Sequence, residues 1–258
     1  MTLVKSAQVV LEVLVEGDTP LWRHPDWADR FPWLVQGTTG VGRKVDPFDL
    51  GLFGDQPVGA AMGRWRRLIA HTGLPAAVHA RQVHGGELLL HEQAQWSGLL
   101  VADGVDGHVT LDPGVLLTVS IADCVPVALV DSEGRGVALV HAGWRGVAAG
   151  IVENACRTLQ MKGARVGDLY AHSGPSICGD CYEVGVEVHR AVNPHLDAPD
   201  RPTPIDLRSA LSERLVAAGL PFANVTVSGH CTRCGPGEFF SHRRGSPARQ
   251  MSILGRRR

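Results

Sequence analysis

At 258 residues, with 25 basic and 26 acidic side chains, the chain is long enough to bury a sizeable core and has no basic footprint for nucleic acid or an anionic membrane surface. No apolar run approaches the roughly 20 residues that cross a bilayer. Glu12, Glu16 and Asp18 interrupt the stretch where a signal peptide would be uniform, so a cytoplasmic protein is expected, and its six cysteines point to ligands, nucleophiles or small buried residues before disulfides.

Residues 7–15, rich in β-branched side chains, predict a first strand. Residues 18–33 hold three prolines and three tryptophans, too broken for a long regular element, which predicts a segment packed on the surface of the core. Residues 37–42, Gly-Thr-Thr-Gly-Val-Gly, lack the Gly-Lys-Ser/Thr ending of a phosphate-binding loop and read as a plain loop. From 58 to 72, Ala61, Trp65, Leu68 and Ile69 share one side, which predicts an amphipathic helix ending near Gly73.

Short apolar runs separated by glycine and aspartate then predict strands over 77–83, 87–90, 105–110, 115–121, 125–130 and 136–140. Four-residue recurrence of Val147, Ile151, Ala155 and Leu159 predicts a helix over 147–161, with Cys156 as a packing residue. Strands over 169–173 and 224–229 and a helix over 207–218, ended by Gly219, complete the reading; 193–204 is expected to be an exposed proline-rich loop.

Three groups of residues carry candidate chemistry. His84, Cys124 and His141 stand at the ends or bends of apolar runs, where two imidazoles and a thiolate could make an open three-ligand metal site. Spacing alone favours the alternative, a buried core cysteine and hydrogen-bonded turn histidines. Asp123 could orient a histidine ligand or accept a proton, and Arg145 could hold a phosphate or carboxylate in its planar fork, while an ordinary salt bridge fits either residue equally well. Cys178-Gly-Asp-Cys181 and Cys231-Thr-Arg-Cys234 could form a tetrahedral four-thiolate zinc site, a redox pair, or part of the core or of an active-site rim. Phe239 to Arg244, Phe-Phe-Ser-His-Arg-Arg, joins aromatics that stack to side chains that donate to oxygens.

Gln82-Val-His-Gly85, Ala122-Asp-Cys-Val-Pro126, His141-Ala-Gly-Trp-Arg-Gly146, Gly174-Pro-Ser-Ile177 with Tyr182-Glu-Val-Gly185, and Cys231-Thr with Phe239 to Arg244 together resemble the YfiH-like family, first called polyphenol oxidase or laccase-domain proteins. The resemblance runs in order from about residue 36 to the C-terminus and implies one α/β domain over 1–258, with a central mixed sheet flanked by helices. It implies one zinc on His84, Cys124 and His141, with copper the weaker alternative.

Enzymes of that family are described as phosphorolysing adenosine, inosine, guanosine or methylthioadenosine and as deaminating adenosine. The resemblance therefore implies a zinc-dependent purine nucleoside phosphorylase with adenosine deaminase activity, acting on a nucleoside and phosphate. Cys124 and Asp123 are the expected catalytic residues, and Gln82, Arg145, Phe240 and Arg243 the expected substrate contacts. Two departures stand where phosphate and ribose contacts are expected: Gly40 where an arginine is usual, and Asp49 where asparagine is common. The competing readings are an amide hydrolase editing peptidoglycan precursors, a copper phenol oxidase, and a zinc-stabilised binding module built on the four cysteines.

Overall fold

The structure, a computed structural model, describes residues 8–15, 17–197 and 199–258. Ala7, Glu16 and Ala198, which fall within the expected first strand, the acidic interruption and the 193–204 loop, lie outside the described residues. The mixed-sheet α/β class holds, and the strands are shared between two seven-stranded mixed sheets.

The first sheet runs, in spatial order, Gln8–Val10, Val225–Ser228, Leu169–Ser173, Val125–Asp131, Val137–Ala142, Gly107–Thr110 and Leu88–His91. The second runs Val13–Val15, Leu21–Arg23, Leu34–Thr39, Gln250–Arg256, Val115–Ile121, Ala76–Arg81 and Gly98–Asp103. Alternate side chains of each sheet point to opposite faces, so each strand contributes to two cores. Val115, Leu117 and Val119 of the second sheet share one buried cluster with Val130, Val137 and Leu139 of the first, which places the sheets face to face.

The outer face of the first sheet buries Val127, Leu129 and Val140 against the helices Ile151–Met161, Val186–Val192 and Leu207–Ala217. The outer face of the second buries Leu116 and Ile253 against Trp65 and Leu68 of the helix Val58–Thr72. That helix ends as the sequence predicts, on Gly73 in the left-handed conformation at φ 71°. Among the described residues no helix is long and apolar enough to cross a membrane.

Four expectations are corrected. The expected strand over 7–15 is two, Gln8–Val10 in the first sheet and Val13–Val15 in the second. Residues 18–33 include the strand Leu21–Arg23 and the helix Pro25–Arg30, and Trp27 and Phe31 are buried between the sheets instead of lying on the surface. Leu34–Thr39, which takes in part of the expected 37–42 loop, is a strand with neighbours on both sides. The 147–161 helix is two: Trp144–Ala148, then Ile151–Met161, separated at Gly150, whose φ of 75° leaves the right-handed helical region.

Candidate metal centre and its pocket

His141 sits near the end of the strand Val137–Ala142, which is antiparallel to both neighbours. On one side Val125 pairs with Ala142 and Pro126 with His141, so Cys124, just before its strand, arrives beside the His141 ring. On the other side Gly107 pairs with Val140, and the His141 N–H donates to the Asp106 carbonyl at 2.7 Å. His84 comes from the crossover between Ala76–Arg81 of one sheet and Leu88–His91 of the other. The candidate ligand atoms of His84, Cys124 and His141 lie within 4.8 Å of one another, and the two rings stand edge to face at 4.8 Å. The fold thus brings together the three candidate donors that the sequence holds apart.

Asp106, fully buried, holds both histidines. Its Oδ1 accepts from His141 Nδ1 at 2.9 Å and from the His84 backbone N–H at 2.9 Å; its Oδ2 accepts from the N–H groups of Val83 at 3.1 Å and Gly85 at 2.6 Å. Burial by itself would raise the Asp106 pKa, and these donors outweigh it and lower it. With Nδ1 engaged, His141 presents Nε2 to the site, the arrangement by which a carboxylate fixes a ligating imidazole. Among the described residues only His84, Gln93 and Asp123 are non-glycine residues at positive φ, and two of the three flank this site, at 61° and 89°.

Cys124 and His141 shift one another. Burial pushes the Cys124 thiol up, and the charge and hydrogen bond of His141, joined by His84, outweigh this and bring it down to about 6. Burial pushes His141 down, and Cys124 and Asp106 outweigh this and raise it to about 9. Between those values the metal-free pair is a thiolate facing an imidazolium. The lowered thiol stabilises the fold above its ordinary pKa and that contribution is lost as pH falls through about 6; the raised imidazole contributes below its ordinary pKa until pH rises through about 9. A metal takes the neutral ring and the thiolate, so loading in this window is expected to release about one proton from the pair, rising toward two below it. Calorimetric titration in buffers of different ionisation enthalpy measures this, and a proton count of zero would contradict it.

The site opens into a pocket of about 330 Å³ whose lining includes His84, Asp123, Cys124, Trp144, Arg145, Ile177, Tyr182, His242 and Arg243. Arg145 lies over the Trp144 ring at 4.4 Å and Arg243 over the Tyr182 ring at 4.9 Å, each a cation on an aromatic face. Two aromatic walls, two guanidinium groups and a cluster of soft donors make a site for a flat, partly anionic small molecule.

Of the residues singled out in the sequence, the pocket gathers His84, Asp123, Cys124, Arg145 and Arg243, with His141 behind them. Gln82 and Phe240 are not among its lining. The Gln82 amide is engaged with Ser120, accepting from its N–H at 2.7 Å and donating to its carbonyl at 3.0 Å, so it clamps the His84 segment to the strand Val115–Ile121. Phe240 is buried, and its main chain is held at both ends by the Gln250 side chain; the aromatic walls are Trp144 and Tyr182.

Asp123 does not orient a histidine. Its Oδ1 accepts from Thr232 Oγ1 at 2.6 Å and its Oδ2 from the Arg243 N–H at 2.7 Å, while Asp106 takes the orienting place. Of the two departures from the family pattern, the one at Gly40 has a local cause and the one at Asp49 changes no contact. A Cβ at Gly40 would lie 2.7 Å from the Glu238 carbonyl and 2.8 Å from Trp22 Nε1, so the space of a side chain is filled. Asp49 uses one oxygen to accept from the N–H groups of Gly51 and Arg249, both at 2.9 Å, a task an asparagine oxygen would also perform.

Gly143 closes the floor of the site. A Cβ there would stand 3.2 Å from both Cys124 Sγ and His84 Cδ2. Gly143→Ala is therefore expected to push two donors apart and weaken metal binding about tenfold, an order of loss typical of disturbed ligand support. Chelator competition reads this directly; unchanged affinity would show that the donors absorb the methyl.

A second group lies behind the pocket wall. The Sγ atoms of Cys178, Cys181, Cys231 and Cys234 also lie within 4.8 Å of one another. For Cys231, burial raises the thiol pKa, and the backbone N–H groups of Cys234, Cys178 and Arg233 outweigh it and bring it down to about 7.

Fold and site together define a mixed-sheet α/β protein with an open His, Cys, His donor set at a strand end under an arginine-lined pocket. The family model described as multi-copper polyphenol oxidoreductase laccase matches residues 38–257, and the chain belongs to that family. A purine nucleoside phosphorylase, YlmD, of Geobacillus stearothermophilus is 35% identical over 256 residues, which is 89% of this chain and 93% of that protein. The crystal structure of YlmD from that organism superimposes with a TM-score of 0.84 at 30% identity, over 96% of this chain and 100% of the other. Adenosine deaminase RL5, from an unknown prokaryotic organism, is 46% identical over 155 residues; the match spans 55% of this chain and 58% of RL5.

Proposed function

We propose that this chain is a zinc-dependent purine nucleoside phosphorylase with adenosine deaminase activity, acting as one catalytic domain over residues 1–258. The observation that carries the reading is the His84, Cys124, His141 cluster at the base of an aromatic and arginine-lined pocket. It accords with the activities named for the relatives.

Two imidazoles and a thiol drawn toward thiolate fit zinc, and three protein donors leave an open position. When bound, zinc supplies Lewis acidity and lowers the pKa of water. The chain's own residues do the rest. Asp106 keeps His141 in the ligating tautomer. Tyr182 and Trp144 offer aromatic surface to the purine, and Arg145 and Arg243 hold phosphate close to the ribose, where fixed placement lowers the barrier to displacement of the base. Asp123 is the proposed proton acceptor: each of its oxygens has one donor, so each keeps a lone pair for the proton.

A copper phenol oxidase, the activity in the family's description, needs more histidines in tight groups. Among the described residues the clusters of metal-ligating type are this one and the four cysteines. The free thiols support a cytoplasmic setting.

Incubation of purified, zinc-loaded protein with adenosine decides the matter. With phosphate it should yield adenine and ribose 1-phosphate, and without phosphate, inosine. No turnover of any purine nucleoside would sink the proposal.

A further inference from the structure

The two Cys-x-x-Cys pairs are far apart in sequence and are joined by the fold. Ser176 and Cys231 form a parallel bridge, and the Thr232 N–H donates to the Ser176 carbonyl at 3.0 Å. This stitch sets the turn carrying Cys178 and Cys181 against the turn carrying Cys231 and Cys234. Cys178 Sγ and Cys234 Sγ are 3.9 Å apart, and all four sulfurs fall within 4.8 Å of one another. Four thiolates around a tetrahedral zinc at about 2.3 Å would stand roughly 3.8 Å apart, so the spacing needs only a small contraction. A disulfide would need one pair near 2.0 Å.

The main chain is also arranged for thiolates. The N–H groups of Cys178 and Cys234 point at Cys231 Sγ, at 3.2 and 3.4 Å. Such donors stabilise a charged sulfur. Arg233 reaches back to the Cys181 carbonyl at 2.8 Å and places a positive charge at the group. The donors are four sulfurs with no imidazole or carboxylate among them, and a fourth protein ligand closes the position that a catalytic metal keeps open.

We propose that Cys178, Cys181, Cys231 and Cys234 form a second metal site, a closed four-thiolate zinc site that braces the pocket wall carrying Tyr182 and Asp123. The bracing follows from connectivity. Tyr182 directly follows Cys181; Thr232, directly after Cys231, donates to Asp123 Oδ1; and the Ile177 N–H, just before Cys178, donates to the Asp123 carbonyl at 2.9 Å. A metal across the two turns therefore ties both sides of the Asp123 anchor. The site is independent of the nucleoside reading and survives its failure.

X-ray absorption at the zinc edge of the full chain carrying His84→Ala and Cys124→Ala isolates this site. One tightly bound zinc per chain with four sulfurs at about 2.3 Å is expected. No zinc, or a shell containing nitrogen or oxygen, would overturn the proposal. Should that variant not fold, the unsubstituted chain gives the same answer by alkylation and mass spectrometry. With zinc loaded, the four cysteines should resist alkylation and the Ile177 and Thr232 amides should exchange about tenfold more slowly than after chelation. Equal reactivity with and without zinc, or recovery of the cysteines as disulfides from reduced and zinc-loaded protein, would refute it, and Cys178→Ser should expose the other three.

Discussion

Cys124→Ala is expected to strip the metal from the His84, Cys124, His141 centre and to lower kcat/KM for adenosine on the order of a thousandfold or more, while the chain stays folded. Zinc in an open site is held by three protein donors, and two imidazoles alone bind it far more weakly. The thiol is also the donor that sets the charge of the site. Its approach to His141 draws it down to about 6, so it offers a thiolate at neutral pH. The magnitude reflects the distance between metal-activated and bulk water, whose pKa falls from 15.7 to about 7 on zinc. Cys124→Ser should not restore activity, because a hydroxyl is not ionised at neutral pH. Cys124 is partly buried and belongs to none of the core clusters, so its loss costs little packing. Elemental analysis, steady-state kinetics and a melting curve of the metal-free protein check the three parts. A variant that keeps turnover and loses no zinc relative to the unsubstituted chain would move the chemistry elsewhere.

Much of the fold can be read from short continuous apolar runs, because strands such as Val115–Ile121 and Val125–Asp131 are covered on both faces and are nearly all apolar. The strands that escape this reading carry polar residues whose partners lie far away in sequence. Gln36 exchanges hydrogen bonds with the His24 main chain, and Thr38 meets Ser252 at 3.1 Å, so Leu34–Thr39 is buried although residues 37–42 read as a loop, and its partner Gln250–Arg256 carries no predicted element. Trp27 and Phe31 were hidden among prolines for the same reason: local composition signals an irregular chain, whereas burial is decided by the second sheet.

The candidate site divides in the same way. His84, Cys124 and His141 are legible as ligand types at element ends, but their meeting depends on antiparallel register, which no spacing encodes. The family resemblance supplied that connection. It did not place Phe240, whose aromatic ring promised a wall and whose main chain is instead locked by Gln250. Gln82 reads as a substrate contact and acts on the scaffold, because both atoms of its amide find Ser120. Asp106 is the largest omission. In Val105-Asp-Gly107 it looks like an ordinary turn residue, and only its position across from His141 makes it the support of both histidines.

Asp106→Asn is expected to weaken zinc binding about 10–100-fold and to lower the melting temperature of the metal-free protein as well. The amide oxygen can still accept from His141 and His84. The amide nitrogen then faces the N–H groups of Val83 and Gly85, donor against donor, where a carboxylate oxygen accepted from both. Each buried donor left without an acceptor costs about 1–3 kcal/mol. The cost falls on the turn that carries His84, so metal affinity and stability drop together. The His141 pKa should fall too, since the Asp106 charge and hydrogen bond are among the causes that raise it; the alkaline limit of the thiolate and imidazolium window then moves below about 9. Asp123→Asn provides the contrast. Asp123 bonds neither histidine, so its substitution should leave zinc affinity within a few-fold while lowering turnover. Chelator competition on both variants separates a carboxylate that supports the metal from one that serves the substrate. If Asp123→Asn rather than Asp106→Asn loses the zinc, the roles assigned to the two carboxylates are reversed.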